Sequence, residues 1–151
     1  TSNQVIKQID TGNGTEGIAL TPDGTELWVT NRASDTVSIV STKSLVVIET
    51  ITVEGFPIRV EISPDGRVAV ISRAEAGEVT IIDVSTKRPL ASVEVGEFPV
   101  GVEISPDSQR AFIGNSRSGS ISVIDLLNYQ VINVVKFGRG PDGMAYLKIK
   151  T

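Results

Sequence analysis

A short turn signal recurs along this chain at a fixed step. It reads Thr21-Pro22-Asp23-Gly24, then Ser63-Pro64-Asp65-Gly66, then Ser105-Pro106-Asp107-Ser108, so the prolines stand 42 residues apart each time. Other positions keep the same step: Gly17, Arg59, Gly101 and Gly143; Ile18, Val60, Val102 and Met144; Leu20, Ile62, Ile104 and Tyr146. Repeats that run without insertion restrict the chain to an architecture of stacked, equivalent units. The 151 residues hold about three and a half such units.

Within each unit the pattern is of short strands. Apolar and polar residues alternate over four to seven positions, rich in β-branched side chains and separated by turn residues. The second unit reads Ile58–Ile62, Arg67–Ser72, Glu78–Asp83 and Pro89–Val95. Proline fixes φ in the Pro-Asp-Gly turn, Asp caps it and Gly accepts a positive φ. Four strands per unit of about 40 residues is the arithmetic of a β-propeller blade. The second and third strands, such as Leu27–Thr30 and Val79–Ile82, are apolar on both faces, as stacked blades require. The fourth strands are wetter and belong at the outside. The repeat frame gives three complete blades, at about residues 12–53, 54–95 and 96–137. It also leaves an orphan outer strand at 5–10 and an orphan inner strand at 142–149.

The segment Glu26–Asn31 after its turn, followed by Asp35–Val40, resembles the YVTN-type β-propeller repeat. Ala111–Asn115 followed by Ser120–Asp125 is similar, whereas Val70-Ile71-Ser72-Arg73 departs by lacking the aromatic and the Asn. The resemblance implies a secreted, cell-surface or periplasmic protein, of the surface-layer or seven-bladed periplasmic kind, here as a partial propeller. Gly138–Tyr146 resembles the closing inner strand of that family, implying the C-terminal part of a larger propeller. Closure by a homo-oligomer is the second reading, and bare blade ends the third.

Composition narrows the function. The chain holds no Cys and no His, which removes thiol nucleophiles, thiolate or histidine metal sites and Ser-His-Asp triads. A net charge of −4 disfavours nucleic acid, and no apolar run reaches the roughly 18 residues needed to span a bilayer. No cofactor is expected. Gly12-Asn13-Gly14 precedes no helix, so a phosphate-loop reading fails.

In propellers, the loop before the first strand and the loop joining the second to the third share one face, often the binding face. That places Arg32, Arg73, Arg117 and Arg139 on a single rim, suited to an acidic ligand or a partner's carboxylates. The alternative is arginines paired with Asp35, Glu75 and Glu97. Phe56 and Phe98 share a repeat position and serve either as anchors for a partner or as plugs between blades. Glu61 and Glu103 stand where the outer repeats have Ala19 and Ala145, on strands lining the central channel. They either share a cation or a proton, or pair with Arg59 or an arginine of the next blade. Asn31, Asn115, Asp83 and Asp125 read as structural caps.

The first functional reading is therefore a non-enzymatic binding or scaffold module that presents its loop face to a protein, peptide or glycan. The second is a fragment of a propeller enzyme, of lyase or quinone-cofactor type, whose catalytic residues lie on other blades.

Overall fold

A computed structural model of the chain describes residues 3–147. Among the described residues twelve strands form three antiparallel sheets of four, each in the order of the chain. Blade 1 comprises β1 (Thr15–Leu20), β2 (Glu26–Asn31), β3 (Thr36–Ser41) and β4 (Val46–Thr52). Blade 2 comprises β5 (Pro57–Ile62), β6 (Val68–Arg73), β7 (Glu78–Asp83) and β8 (Pro89–Glu94). Blade 3 comprises β9 (Pro99–Ile104), β10 (Arg110–Asn115), β11 (Ser120–Asp125) and β12 (Gln130–Lys136). The fold is the all-β propeller architecture the repeat predicts.

The core lies between blades. Trp28, Val37 and Ile39 of blade 1 pack against Val60, Ile62, Ala69 and Ile71 of blade 2. Val70, Val79 and Ile81, on the other face of blade 2, pack against Val102, Ile104, Ala111 and Ile113 of blade 3. Alternation along β6 and β7 thus serves two seams at once, which is why those strands carry apolar groups on both faces. Lys87 of blade 2 locks the first seam. Its ammonium meets the Glu26 carboxylate at 2.6 Å and lies 5.4 Å from the centre of the Trp28 ring, while the indole N–H donates to Glu26 at 3.1 Å.

First strands crowd one another near the axis, and glycine is needed where they touch. A methyl group on Gly17 would collide with the Ile58 carbonyl of the next blade. The Thr30 hydroxyl bridges the same seam, accepting from the Gly17 N–H at 2.7 Å and donating to the Ile58 oxygen at 2.7 Å.

The two orphan strands do not form as strands. Residues 5–10 lie exposed apart from the half-buried Ile9 and form no ladder, and residues 142–147 likewise pair with no strand; residues 148–149 lie outside the described residues. A strand needs a neighbour to bond, and among the described residues neither segment has one. The C-terminal segment still takes its repeat position. A methyl on Gly101 would strike the Asp142 carbonyl, as one on Gly17 strikes Ile58. The Arg59 guanidinium reaches Asp142 at 3.3 Å, Pro141 is buried, and the Tyr146 ring lies 6.4 Å from that of Phe112.

Candidate loop-face site

The loop before each first strand and the loop between the second and third strands are joined by paired backbone hydrogen bonds. Arg32 and Ala33 N–H groups donate to Gly14 and Asn13, Ala74 and Glu75 to Phe56 and Gly55, and Ser116 and Arg117 to Phe98 and Glu97. The same backbone frame is therefore built three times on one face. Its tightest point is a left-handed residue: Gly14 (φ 69°), Phe56 (φ 64°), Phe98 (φ 54°) and Gly140 (φ 63°) all occupy one repeat position. A β-carbon there costs about 1–2 kcal/mol, so the two phenylalanines are held by what they contact.

Both rings do two jobs. They pack on Ile58, Ala74 and Val100, closing the seams beneath the loops. Each also carries a guanidinium: Arg32 stands 5.3 Å from the centre of the Phe56 ring, and Arg117 4.0 Å from that of Phe98. Each ring thus packs between blades and supports an arginine at the rim.

The four rim arginines do not act together. Arg73 leaves the set, because it closes β6 at the repeat position of Asn31 and Asn115 and turns back onto its own blade. Its guanidinium donates to Glu78 at 2.7 Å and to Thr80 and Ser92 at 3.2 Å each. Asn31 and Asn115 make the matching structural bonds, Asn31 to Thr36 and Ser38, Asn115 to Ser120 and Ser122. Arg32 is paired with Glu16 at 3.0 Å. Among the described residues none of the expected partners Asp35, Glu75 and Glu97 holds an arginine; Asp35 instead accepts the N–H groups of Gly55 and Phe56.

Arg117 and Arg139 remain together. With Lys136, Ser116, Ser118, Gly119 and Gly138 they line an open depression of about 650 Å³. Among the described residues no carboxylate lies within 4.0 Å of these three cations. Lys136 was not singled out from the sequence, although its alignment with Glu94 one repeat earlier is the signal that would have found it.

On the channel side, Glu61 is half-buried and within reach of the Glu103 charge. Burial, and then the charge of Glu103, raise the Glu61 carboxyl above its ordinary value. Neither is paired with Arg59, which is turned to Asp142. Glu103 accepts the Tyr146 N–H at 3.1 Å. Among the described residues no group of three carboxylates is placed to hold a metal ion. Asp83 and Asp125 cap their turns, Asp83 accepting from Ser85 and Thr86 and Asp125 from Leu127. No helix among the described residues is long and apolar enough to cross a membrane.

Blades, register and loop frame together define a β-propeller module. Residues 2–110 match the YNCE-like beta-propeller family, and the chain belongs to it. No curated protein matches the chain significantly. Of solved structures, the chain is similar to Kuenenia stuttgartiensis hydrazine synthase, with 25% identity and a TM-score of 0.83 over 95% of this chain and 42% of that one. It is also similar to a functionally unknown protein from Desulfotomaculum acetoxidans DSM 771, with 19% identity and a TM-score of 0.79 over 89% of this chain and 46% of that one. The chain thus spans less than half the length of either. As many as 1166 solved chains match, so shape alone selects no activity.

Proposed function

We propose that this module is a non-enzymatic binding or scaffold unit whose loop face engages a protein, peptide or glycan. The observation that carries the reading is the pair of strained phenylalanines, each holding an arginine at the rim. Such a cost in backbone strain is characteristic of functional positions, and Arg over an aromatic ring is a frequent interface anchor. The apolar faces left open on blades 1 and 3 support the module being part of a larger propeller, or of one closed by a second copy. The resemblance to surface-layer and periplasmic propellers supports a secreted, cell-surface or periplasmic place for it.

Photo-crosslinking tests the loop face. A crosslinker placed at Arg117 is expected to trap a partner from extract of the native organism, whereas one at Asp23, on the Pro-Asp-Gly turn face, is not. Trapping from Asp23 alone would reverse the assignment of the faces. Light scattering separates the two forms of closure: a discrete oligomer indicates a second copy, and a monomer indicates further blades.

The likeness to the hydrazine synthase chain favours one second reading, in which the module is the propeller portion of an enzyme and the reacting groups lie on other blades. Turnover by a longer chain, retained after loop-face substitution, would favour it.

A further inference from the structure

The depression on blade 3 has a counterpart one repeat earlier. Ala76, Gly77, Gly96 and Glu97, with Glu78 and Glu94, line an open depression of about 350 Å³ on blade 2. Ala76 and Ser118, Gly77 and Gly119, Gly96 and Gly138 are repeat equivalents, so the two floors are alike. Their charges are opposite. Thr52 and Gly55 on blade 1 become Glu94 and Glu97 on blade 2, and Lys136 and Arg139 on blade 3. Glu75 becomes Arg117 in the same step. Glu78 is neutralised by Arg73, whereas among the described residues Glu94 and Glu97 have no cation within 4.0 Å. The loop face thus runs from neutral through acidic to basic on one repeated frame.

We propose that the blade 3 depression binds the carboxylates of an acidic peptide segment through Lys136, Arg139 and Arg117. The proposal deepens the loop-face reading and rests on it. Arg117 is pre-oriented by its stack on Phe98, which lowers the entropy lost when its fork meets a carboxylate. The volume of about 650 Å³ exceeds what a single small oxyanion needs and leaves room for more than one carboxylate-bearing side chain. A nucleic acid fits less well. Its phosphates continue past any three cations, and here they would run onto Glu94 and Glu97. A peptide ends its acidic run where it chooses, and a basic residue beyond the run meets the blade 2 acids favourably.

Fluorescence anisotropy tests this with a labelled peptide carrying four consecutive Asp and Glu residues, its Asn/Gln counterpart and a single-stranded oligonucleotide of similar length. The acidic peptide is expected to bind and the amide peptide not. Lys136→Glu with Arg139→Glu, both exposed, should weaken binding by about tenfold or more with the melting temperature retained. Glu94→Lys with Glu97→Arg should add a second site and raise the stoichiometry. Unchanged affinity in the first variant, or tighter binding of the oligonucleotide, overturns the proposal. If the acidic peptide fails while the Arg117 crosslinker still traps a partner, this inference falls and the loop-face reading stands. If neither occurs, both fall.

Discussion

Val60 and Ile62 are 1% and 6% exposed, while Ile18 and Leu20, at the same two places of the repeat, are 58% and 54% exposed. Both places are apolar in both strands; what differs is that β5 has blade 1 on that side, whereas among the described residues β1 has no blade there. The opposite face tells the same story. Trp28 and Val70 are fully buried, whereas Phe112 is half-buried, its neighbour on that face among the described residues being the segment around Tyr146. In a propeller, then, a side chain's energetic role is set by the adjoining blade. Stability divides into terms within blades and terms at seams, as in other repeat folds.

The largest break in this comparison comes from Trp28→Ala. It removes a fully buried ring from the first seam and strips the indole from the Glu26–Lys87 lock. A loss of about 3–5 kcal/mol is expected by denaturant titration. A loss under about 1 kcal/mol would mean that the seam does not hold the blades together.

The paired truncations Ile62→Ala and Leu20→Ala put the comparison directly. The buried member should cost about 2–5 kcal/mol and the exposed one less than about 1 kcal/mol, although the residues share one place in the repeat. Equal costs would show that β1 is covered in solution, and would identify its open face as an occupied one.

Much of this was legible in the 42-residue step, because a period fixes which residues are equivalent before any contact is known. Strands, turns, wet outer strands and the double-sided inner ones all follow from it. The orphan strands did not form because a ladder needs a partner strand, which sequence pattern cannot supply. Arg73 differs for another reason: its place in the loop groups it with the rim arginines, but the repeat aligns it with Asn31 and Asn115, residues that face their own blade. Lys136 closes an outer strand, where a cation in the sequence pattern looks like ordinary surface. The Lys87 lock was invisible because its partners lie a blade away.

Phe112→Ala sharpens the comparison at intermediate size. The ring has a partial neighbour in Tyr146, with Met144 and Pro141 lining the same cleft of about 400 Å³. A cost of about 1–2 kcal/mol is expected, between the closed and open extremes, since roughly half the burial is lost. Hydrogen exchange should also accelerate at residues 142–146, which the ring helps to seat. A cost equal to that of Trp28→Ala would place Phe112 in a closed seam.

The smallest effect concerns Glu61, at the inner edge of the second seam, where the repeat has put two carboxylates side by side. Because burial and the Glu103 charge raise its folded value, the folded chain binds that proton more readily than the unfolded chain does. The stability it contributes is therefore full below the unfolded value near 4.5 and is lost as pH rises through the folded one. Glu61→Gln should stabilise the chain by about 0.2–1 kcal/mol at pH 7, comparable to relief of a like-charged neighbouring pair. The gain should vanish toward pH 4. The turn aspartates behave oppositely. Asp23, lowered first by the Thr21 hydroxyl, and Asp107, lowered first by that of Ser105, stabilise above their unfolded values and lose this as pH falls through the folded ones. Wild type and Glu61→Gln should thus converge on one acid limb while differing at neutrality. A difference that persists unchanged in acid would mean that Gln acts by packing, and that Glu61 and Glu103 do not repel across the seam.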